Sequence, residues 1–503
     1  MLRYHTFISA LFLFTVVGCG GTDNGQTSAP QIAPDSPNTP DASPTTWQPG
    51  VFSPSDDFYQ VCADPTKAYD QTTAVQGTYV DENNWMRSFV NETYLWYDEV
   101  EDRDPACCTT PEYFGLMKTF ETTASGNPKD KFSHSVSTKE YLDSQRGVEL
   151  GYGFRIARTT EGFLIILYVD PRSPADNAGL RRGMVISEVD GIPVASISDE
   201  QLLSALFPSE PERHEFTIST LGGSETRSVA VRATEVVTTP VQRTILVVER
   251  TGHRIGYMLF NSHIPVAEAG LIEAIGYFDF NNIDDMVLDL RYNLGGLVSI
   301  ASELAFMIAG SRVTQNAIFE KFITNGKLPS EEAIPFYNAS SGGFPLPSLG
   351  LSRVFVLTGP RTCSASEGII NGLRGVDIEV VLIGATTCGK PYAQVPEDNC
   401  GTTYNVIQYR GVNDKGFGDY ADGFQPTCPG GDDVRYPLGD PEEERLKGAL
   451  YYMELGECPT SQRASISSGE SGSAAKASPD QDQPEPPAFT EIWPPAMPLR
   501  ILD

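Results

Sequence analysis

The sequence predicts a layered α/β domain over residues 240–458, preceded by a β-rich module over 147–232 and a helical region over 55–146. From Arg254 onward, strand-like and helix-like segments alternate, which is typical of α/β layers. In the module, short apolar runs are separated by glycine-containing turns. In the N-terminal region, aromatic residues recur every three to four positions, as they do on one buried helix face. A chain of 503 residues is long enough for about three such units.

The first 54 residues predict export and a tether. Arg3 precedes an apolar run from Ile8 to Val17, which is too short to span a bilayer as a mature helix. The run ends in Gly18-Cys19, which resembles the lipobox of bacterial lipoproteins; a plain secretory signal with an incidental cysteine is the alternative. The resemblance implies that residues 1–18 are removed and that Cys19 is lipidated. It places the protein in the bacterial cell envelope, at the outer membrane or the periplasmic face.

The segment that follows, 19–54, is rich in Pro, Ser and Thr and has almost no aliphatic residues, so it is predicted to be a disordered tether. The overall charge is strongly acidic, with 36 basic and 66 acidic residues and a formal net charge of -30. This balance predicts no nucleic-acid partner and no membrane contact beyond the lipid anchor.

Besides Cys19 the chain has eight cysteines, and an even number in an exported protein predicts disulfides. Eight cysteines allow many pairings, so the connectivity stays open. No CxxC pair or CxxC/His cluster is present, and we therefore predict neither a metal site nor a cofactor.

The aromatic residues Trp85, Phe89 and Tyr94 to Tyr97 indicate a core helix or helix pair in the N-terminal region. Stripes of this kind are usually packing surfaces, and we assign this one no catalytic role.

The β-rich module contains a Gly-Tyr-Gly-Phe loop, a strand-like run from Phe163 to Val169, the segment SPADNAGLRRGM and a short helix from Asp199 to Leu206. In this order the residues resemble a PDZ domain, although Met184 stands where that family usually has aspartate. The resemblance implies a loop whose backbone N–H groups hold a peptide's C-terminal carboxylate while the peptide adds a strand to the sheet. The residues of that loop are Gly151, Tyr152, Gly153 and Phe154.

The α/β region is predicted to begin with a strand, a helix and a second buried strand. The predicted elements are the strands Ile255–Phe260, Met286–Leu290, Arg353–Leu357 and Val380–Gly384, and the helices Val266–Phe278 and Leu297–Ile308. The second strand runs into DLRYNLGG, whose glycines allow backbone N–H groups to point at an anion. The third leads to the turn Thr362–Ser366, where a serine at a helix N-terminus would expose its hydroxyl.

Three motifs, DLRYNLGG, CSASE and CGKPYAQ, resemble in sequence and order those of the C-terminal-processing (tail-specific) serine proteases. The resemblance extends from about Trp85 to Glu454 and implies a ClpP/crotonase-like layered α/β protease core with an inserted PDZ domain. It implies a serine endopeptidase that needs no cofactor and acts on protein or peptide substrates captured by the PDZ domain.

Transferred residue by residue, the resemblance makes Ser364 the nucleophile, Lys390 the general base and Gln394 the residue that orients the lysine. A lysine acts as a base near neutral pH only if burial lowers its pKa, and no acidic residue lies within several positions of Lys390. The oxyanion hole is expected from the N–H of Ala365 together with that of Gly295 or Gly296, a choice that the sequence leaves open. We interpret Ser366 as a helix cap.

Two residues depart from the family pattern: Cys363 precedes the nucleophile, and Pro391 replaces the glycine after the lysine. Cys363 and Cys388 flank the two catalytic residues, so a disulfide involving either could stiffen or gate the site. Two alternatives remain. One is a histidine base, His253 or His263, and the other is a catalytically silent, PDZ-containing peptide-binding lipoprotein.

The final segment, 461–503, is of low complexity and is predicted to be disordered. Its last sixteen residues regain apolar character and could dock on the body or in the PDZ groove. Because the terminal Asp503 is a poor apolar anchor, we expect a frayed tail.

Overall fold

The structure is a computed structural model, and it describes residues 47–248, 252–329, 333–460 and 489–492. The predicted signal segment, Cys19, most of the predicted tether and most of the tail lie outside these residues. None of the helices in the described ranges has the length and apolar character needed to cross a membrane.

The N-terminal region contains helices, 3-10 turns and short strands. Thr78 caps the first helix: its hydroxyl accepts the Asp81 N–H, and the Asp81 carboxylate accepts the Thr78 N–H. The region is less helical than predicted, because His134–Ser137 pairs with a strand of the α/β core. The elements are β1 (Val61–Cys62), β2 (Val75–Gln76), α1 (Tyr79–Thr93), α2 (Thr110–Leu116), β3 (His134–Ser137) and α3 (Thr138–Gln145).

The β-rich module is built on an antiparallel sheet with the strand order β10-β9-β7-β6-β5. Phe154, Ile166 and Phe216 lie in its own buried core, closed on one side by α5. The elements are β4 (Val148–Gly151), β5 (Phe154–Thr159), β6 (Leu164–Val169), α4 (Pro174–Asn177), β7 (Met184–Val189), β8 (Ile192–Pro193), α5 (Asp199–Leu206), β9 (Arg213–Thr220), β10 (Thr226–Arg232) and β11 (Thr234–Val237).

The third region is the α/β core, and its predicted strands and helices form within one or two residues of the expected bounds. The strands are β12 (Val241–Val248), β13 (Arg254–Phe260), β14 (Asp285–Asp289), β15 (Ile318–Ile323), β16 (Ile334–Pro335), β17 (Arg353–Thr358), β18 (Glu379–Gly384), β19 (Tyr392–Gln394), β20 (Glu397–Asn399), β21 (Thr402–Asn405), β22 (Ile407–Val412) and β23 (Cys428–Pro429). The helices are α6 (Ala267–Phe280), α7 (Val298–Ala309), α8 (Ser311–Thr314), α9 (Ala365–Gly375) and α10 (Glu444–Leu455).

The main sheet of the core has the order β12-β13-β14-β17-β18-β23, and only β12 runs antiparallel to its neighbour. Its strands are buried on both faces, as parallel strands usually are. Met286 and Leu288 of β14 face a cluster with α6, α7 and α9. Val287 between them faces a cluster that includes α10 and β6 of the module. The module therefore shares a buried face with the main sheet.

Eight cysteines form four disulfides in the described residues, which confirms the prediction that the cysteines outside the lipobox are oxidised. The pairs are Cys62–Cys400, Cys107–Cys108, Cys363–Cys388 and Cys428–Cys458. The first joins the N-terminal region to the core across 338 positions of sequence.

The last described segment is a strand, β24 (Phe489–Ile492), which pairs antiparallel with β5 at the edge of the module's sheet. The expectation of a frayed tail is wrong for these four residues. That expectation considered only the terminal Asp503 as an anchor, whereas an exposed sheet edge offers backbone hydrogen bonds to any extended segment.

Candidate active site

The predicted catalytic residues lie at the carboxyl ends of adjacent parallel strands, where open α/β sheets commonly place their sites. Gly295 and Gly296 follow β14, and Ser364 follows β17, which pairs with β14. Ser364 is the residue that caps α9, with φ 59° and ψ -117°. A non-glycine residue rarely adopts this backbone conformation, and such strain often marks a functional site.

Two expectations about this turn are wrong. Ser364 is only 5% exposed, whereas the sequence predicted an exposed hydroxyl, because the loop that carries Gly295 packs closely against it. Ser366 does not cap the helix. It is the second residue of α9, and its hydroxyl donates to the Asn293 carbonyl at 3.0 Å.

The carboxylate of Glu367 connects the serine turn to the lysine loop. One oxygen accepts the N–H groups of Ser364 and Lys390 at 2.9 and 2.8 Å. The other accepts the Gly389 N–H at 2.9 Å and the Thr387 hydroxyl at 2.5 Å. Burial raises the pKa of Glu367, while these hydrogen bonds act in the opposite direction. The side chain thereby fixes the backbone of both predicted catalytic residues.

Lys390 is fully enclosed, at 1% exposure. Burial lowers the pKa of its amine to about 7, although the nearby charges of Asp130 and Glu367 act to raise it. Both carboxylates lie far from Lys390 in sequence, so its neighbours along the chain do not reveal them. Desolvation outweighs them, so a substantial fraction of the amine is neutral at physiological pH.

The amine of Lys390 donates to Oε1 of Gln394 at 2.9 Å. The orientation of that amide is determined by its other end, since Nε2 donates to the carbonyls of Phe132 and Asn405, each at 3.1 Å. Gln394 therefore presents an uncharged acceptor, which holds the amine without stabilising its protonated form as strongly as a carboxylate would.

Phe132 belongs to the N-terminal region, so this region supports the site from outside the core. Asp130 accepts the backbone N–H groups of Phe132 and Ser133 and the hydroxyl of Tyr94. Tyr94 packs with Trp85, Phe89 and the core residue Tyr392 in one buried cluster. The aromatic stripe is a packing surface, as predicted, and it also positions the backbone that orients Gln394.

The structure distinguishes the two glycines that the sequence left as alternatives. The Gly295 N–H already donates to Oδ1 of Asn293 at 2.9 Å. Gly296 and His263 form a parallel β-bridge whose hydrogen bonds involve the residues on either side of Gly296. The His263 N–H donates to the Gly295 carbonyl, and the Leu297 N–H donates to the His263 carbonyl. In the part of the chain that the structure describes, the N–H groups of Gly296 and Ala365 have no acceptor. These two donors are free to bind an oxyanion.

Gly295 is needed for a different reason, its close approach to Ser364. A Cβ built on Gly295 would lie 2.8 Å from Cβ of Ser364 and 2.9 Å from the Ala365 nitrogen. Its φ of 95° is also unfavourable for other residues.

Neither histidine is placed to act as the base. His253 pairs with Asp285 at the start of β14, the opposite end of the strand from the predicted site. His263 is completely buried, and its Nδ1 lies 3.0 Å from Oδ1 of Asn293. Burial lowers the pKa of His263 to about 3, so it stays neutral and braces the glycine loop.

The structure identifies supporting residues that the sequence argument did not select: Glu367, Asn293, Asp130 and Phe132. Asn293 lies in the motif DLRYNLGG and Glu367 in CSASE. Each is a motif position without a predicted role, and that was the sequence signal that could have identified them. No comparable signal existed for Asp130 and Phe132, because they lie more than 250 positions before Lys390.

The disulfide Cys363–Cys388 joins the residue before Ser364 to the loop that carries Lys390. It lies in the same buried cluster as Tyr392. The serine turn and the lysine loop are thus connected twice, covalently by this disulfide and noncovalently by Glu367.

A cavity of about 390 Å³ lies beside the site. It is lined by Leu297, which follows Gly296, and by Val395, which follows Gln394, together with Pro265, Pro396 and others. Its walls are mainly apolar.

In the module, the predicted peptide-binding residues form the turn between β4 and β5. Tyr152 is buried, and its hydroxyl donates to the Ala205 carbonyl of α5 at 3.0 Å. Gly153 has φ 77°, and a Cβ there would lie 2.2 Å from Cβ of Ser173. Phe154 begins β5, so the loop leads directly into the sheet edge on which β24 lies.

Comparisons with known proteins match both halves of this arrangement. Residues 254–416 match the model of peptidase family S41, and residues 165–217 match a PDZ domain model. A carboxyl-terminal-processing protease of Picosynechococcus sp. is 26% identical over 349 residues, which cover 67% of this chain and 76% of that protein. Carboxyl-terminal-processing peptidase 2 from chloroplasts of Arabidopsis thaliana is 24% identical over 239 residues, 46% of this chain and 45% of that protein.

Among solved structures, a Bacteroides fragilis protein assigned to the S41 proteases matches with a TM-score of 0.61 and 26% identity. The match covers 74% of this chain and 97% of that chain.

Proposed function

We propose that the chain, a serine peptidase of family S41 of the carboxyl-terminal-processing type with a PDZ domain, cleaves peptide bonds with Ser364, Lys390 and Gln394. The observation that carries the proposal is the buried amine of Lys390. It has a lowered pKa and a neutral acceptor at 2.9 Å, and its loop is tied to that of Ser364 through Glu367.

In the proposed mechanism, the neutral amine of Lys390 takes the hydroxyl proton of Ser364 as Oγ attacks the substrate carbonyl carbon. The N–H groups of Ala365 and Gly296 stabilise the resulting oxyanion. When the C–N bond breaks, the ammonium of Lys390 gives its proton to the leaving amine. A water molecule, deprotonated by the same amine, then attacks the acyl carbon, and the ammonium of Lys390 returns that proton to Oγ as the acyl bond to Ser364 breaks.

We further propose that the PDZ domain captures the C-terminal residues of protein or peptide substrates. The supporting features are the turn from Gly151 to Phe154 and the edge strand β5, where an added strand is accommodated. The mainly apolar cavity beside Leu297 and Val395 favours an apolar side chain next to the cleaved bond.

The cellular location is part of the proposal. The lipobox-like Gly18-Cys19, the tether composition and the four disulfides all favour a lipid-anchored protein of the bacterial cell envelope. Labelling cells with a radioactive fatty acid tests the anchor: incorporation is expected in the native chain and absent in Cys19→Ala.

Cleavage of a denatured, apolar-tailed protein by the purified chain tests the activity. Ser364→Ala and Lys390→Ala are each expected to lower kcat by about 10³-fold or more, because the two residues act as a unit. Undiminished cleavage by either variant would show that another site acts. The alternative of a silent peptide-binding lipoprotein predicts no cleavage by the native chain either.

A further inference from the structure

We propose that the C-terminal segment Phe489–Ile492 is an intramolecular occupant of the PDZ peptide-binding edge, which substrate C-termini must displace. The inference rests on the proposed role of the PDZ domain in substrate capture. Its basis is the pairing of β24 with β5, in which Phe489 lies opposite Thr159 and Ile492 opposite Ile156.

The direction of β24 is the one that a captured substrate needs. β5 starts at Phe154, directly after the Gly151–Gly153 turn, and β24 runs antiparallel to it. The chain therefore advances from Phe489 toward that turn, as a peptide does when its C-terminal carboxylate is held there. A substrate strand and β24 require the same backbone groups of β5 and cannot bind together.

The sequence around β24 independently indicates one short strand, because prolines flank it on both sides. Pro486-Pro487 precedes it and Pro494-Pro495 follows it. Proline supplies no N–H to a strand ladder and disfavours helix in the residue before it, so the segment between the two pairs is suited to one short extended strand.

The tail segment lacks one contact that a substrate C-terminus makes, so a substrate can displace it. Eleven residues, 493–503, follow Ile492, so the segment at this register has no free carboxylate to offer to the turn. A substrate that ends at this register makes the same strand pairing and adds its carboxylate. The substrate should therefore displace β24 when its concentration is high enough.

The attachment point of the tail favours binding within one chain. Cys458 is bonded to Cys428, next to α10, and α10 shares a buried cluster with β6 of the PDZ domain. The 28 residues 461–488 can span up to roughly 100 Å when extended, which is ample for the return to β5. A tether of this kind gives an effective concentration on the order of 1 mM. If the segment's own Kd is on the order of 0.1 mM, occupancy weakens substrate capture about tenfold.

The test measures peptide binding in full-length chains that carry Ser364→Ala, so that binding does not depend on cleavage. The probe is a fluorescein-labelled decapeptide with an apolar, free C-terminus, followed by fluorescence anisotropy. In an antiparallel pair, only alternate residues of a strand donate their backbone N–H to the neighbouring strand. Replacing two consecutive residues, Thr490→Pro with Glu491→Pro, therefore removes one of the N–H groups that β24 donates to β5. Ala475→Pro, in the same low-complexity tail, is the matched control.

The double proline variant is expected to bind the probe about tenfold more tightly than the parent chain, and the Ala475→Pro control equally to the parent. In the active enzyme the same variant should lower KM by a similar factor and change kcat less than about twofold. A synthetic AFTEIW peptide added to the double variant should restore weak probe binding.

Equal Kd values in all three chains would overturn the proposal, as would a concentration-dependent dimer in which the tail of one chain binds another. Failure of the proposed function is recognisable separately. If the chains show the tenfold binding difference but never cleave substrate, occupancy of the PDZ edge by the tail stands and only the peptidase assignment is lost. Absence of probe binding in every chain overturns both substrate capture by the PDZ domain and its occupancy by the tail.

Discussion

At the scale of single residues, the proposed chemistry depends on one amine, that of Lys390, whose burial lowers its pKa to about 7. Lys390 is surrounded by protein, and its amine donates to the neutral amide oxygen of Gln394, while two carboxylates nearby act against the lowered pKa. An amine with a pKa of about 7 can accept a proton at physiological pH and return it to a leaving group.

The first prediction concerns the pH dependence of kcat/KM. Since the base must be deprotonated, activity should rise about tenfold per pH unit below 7 and level off above it. Initial rates on a short peptide between pH 5 and 9 provide the profile. A profile that keeps rising to pH 10 would mean that Lys390 has the pKa of an exposed lysine.

The second prediction concerns Gln394→Glu, with Gln394→Ala as the comparison. A carboxylate about 3 Å from the amine stabilises its charged form, so the lysine pKa rises and the activity profile moves to higher pH. We expect at least a tenfold loss at pH 7 that is largely recovered near pH 9. The alanine variant should lose activity at all pH values, because it removes the orienting bond without adding charge.

A third prediction concerns stability. In the folded chain the pKa of Lys390 is depressed, so folding is penalised fully below pH 7, where the amine is buried with its proton. Between pH 7 and about 10.4 the unfolded chain holds more protons, so this penalty decreases as pH rises. Lys390→Met should therefore raise the midpoint of chemical unfolding most at pH 6 and least at pH 10. A pH-independent difference would contradict the depressed pKa.

The proposal that Ser364, Lys390 and Gln394 form the site followed from motif order, but the roles of the residues around them did not. Sequence spacing places Gly295 and Gly296 in one loop, and only the hydrogen bond that the Gly295 N–H donates to Oδ1 of Asn293 shows which N–H is occupied. The desolvation of Lys390 was expected from its apolar surroundings in sequence. The opposing charge of Asp130 could not be, since that residue is brought in by a different region.

At the scale of elements, two loops at the ends of β17 and β18 must hold the serine and the lysine in register. Glu367 and the disulfide Cys363–Cys388 perform this function together. A displacement of about 1 Å between reacting groups can cost roughly 100-fold in rate, so both connections should matter for kcat.

The fourth prediction separates this disulfide from the others. Cys363→Ala with Cys388→Ala should lower kcat about tenfold or more, because the serine turn and lysine loop lose their covalent connection. Cys428→Ala with Cys458→Ala, which removes the disulfide between β23 and the segment after α10, should reduce thermal stability and leave kcat unchanged. Equal kcat in the parent and the first variant would remove any role for this disulfide in the site.

Element boundaries in the core were predictable because buried parallel strands and their helices have distinct apolar patterns. The short strands were not. β3 and β24 have no periodic signal, and each forms by pairing with an edge offered by a distant segment, β21 and β5 respectively. Pairing partners at such separations are a tertiary property that local propensity does not encode.

At the scale of the whole molecule, a buried charge network connects the PDZ domain to the catalytic core. Arg182 of the PDZ domain donates to the Tyr292 hydroxyl at 2.7 Å and forms an ion pair with Asp432. Arg291 joins the same network through Asp432 and Glu443, at 2.9 and 2.7 Å. Tyr292 directly precedes Asn293, whose Oδ1 accepts the Gly295 N–H in the loop predicted to hold the oxyanion.

The fifth prediction follows from this network. Arg182→Ala leaves Asp432 with one cation fewer in a buried site and should destabilise the fold by about 3 kcal/mol, with a loss of kcat through Tyr292. Arg181→Ala, its exposed neighbour, should change both quantities little. Thermal unfolding and peptide cleavage measured on both variants decide the matter. Indistinguishable variants would show that the network is not a connection between the domains.

The central claim is that Ser364 becomes acylated with Lys390 as its base, and pre-steady-state acylation measures this directly. A β-lactone that acylates serine nucleophiles is mixed with the enzyme between pH 5 and 9, and intact and peptide mass spectrometry follow the adduct. We predict a single adduct on Ser364 whose rate of formation rises through pH 7 and falls by about 10³-fold in Lys390→Ala. An adduct on another residue, or an unchanged rate in Lys390→Ala, would contradict the account.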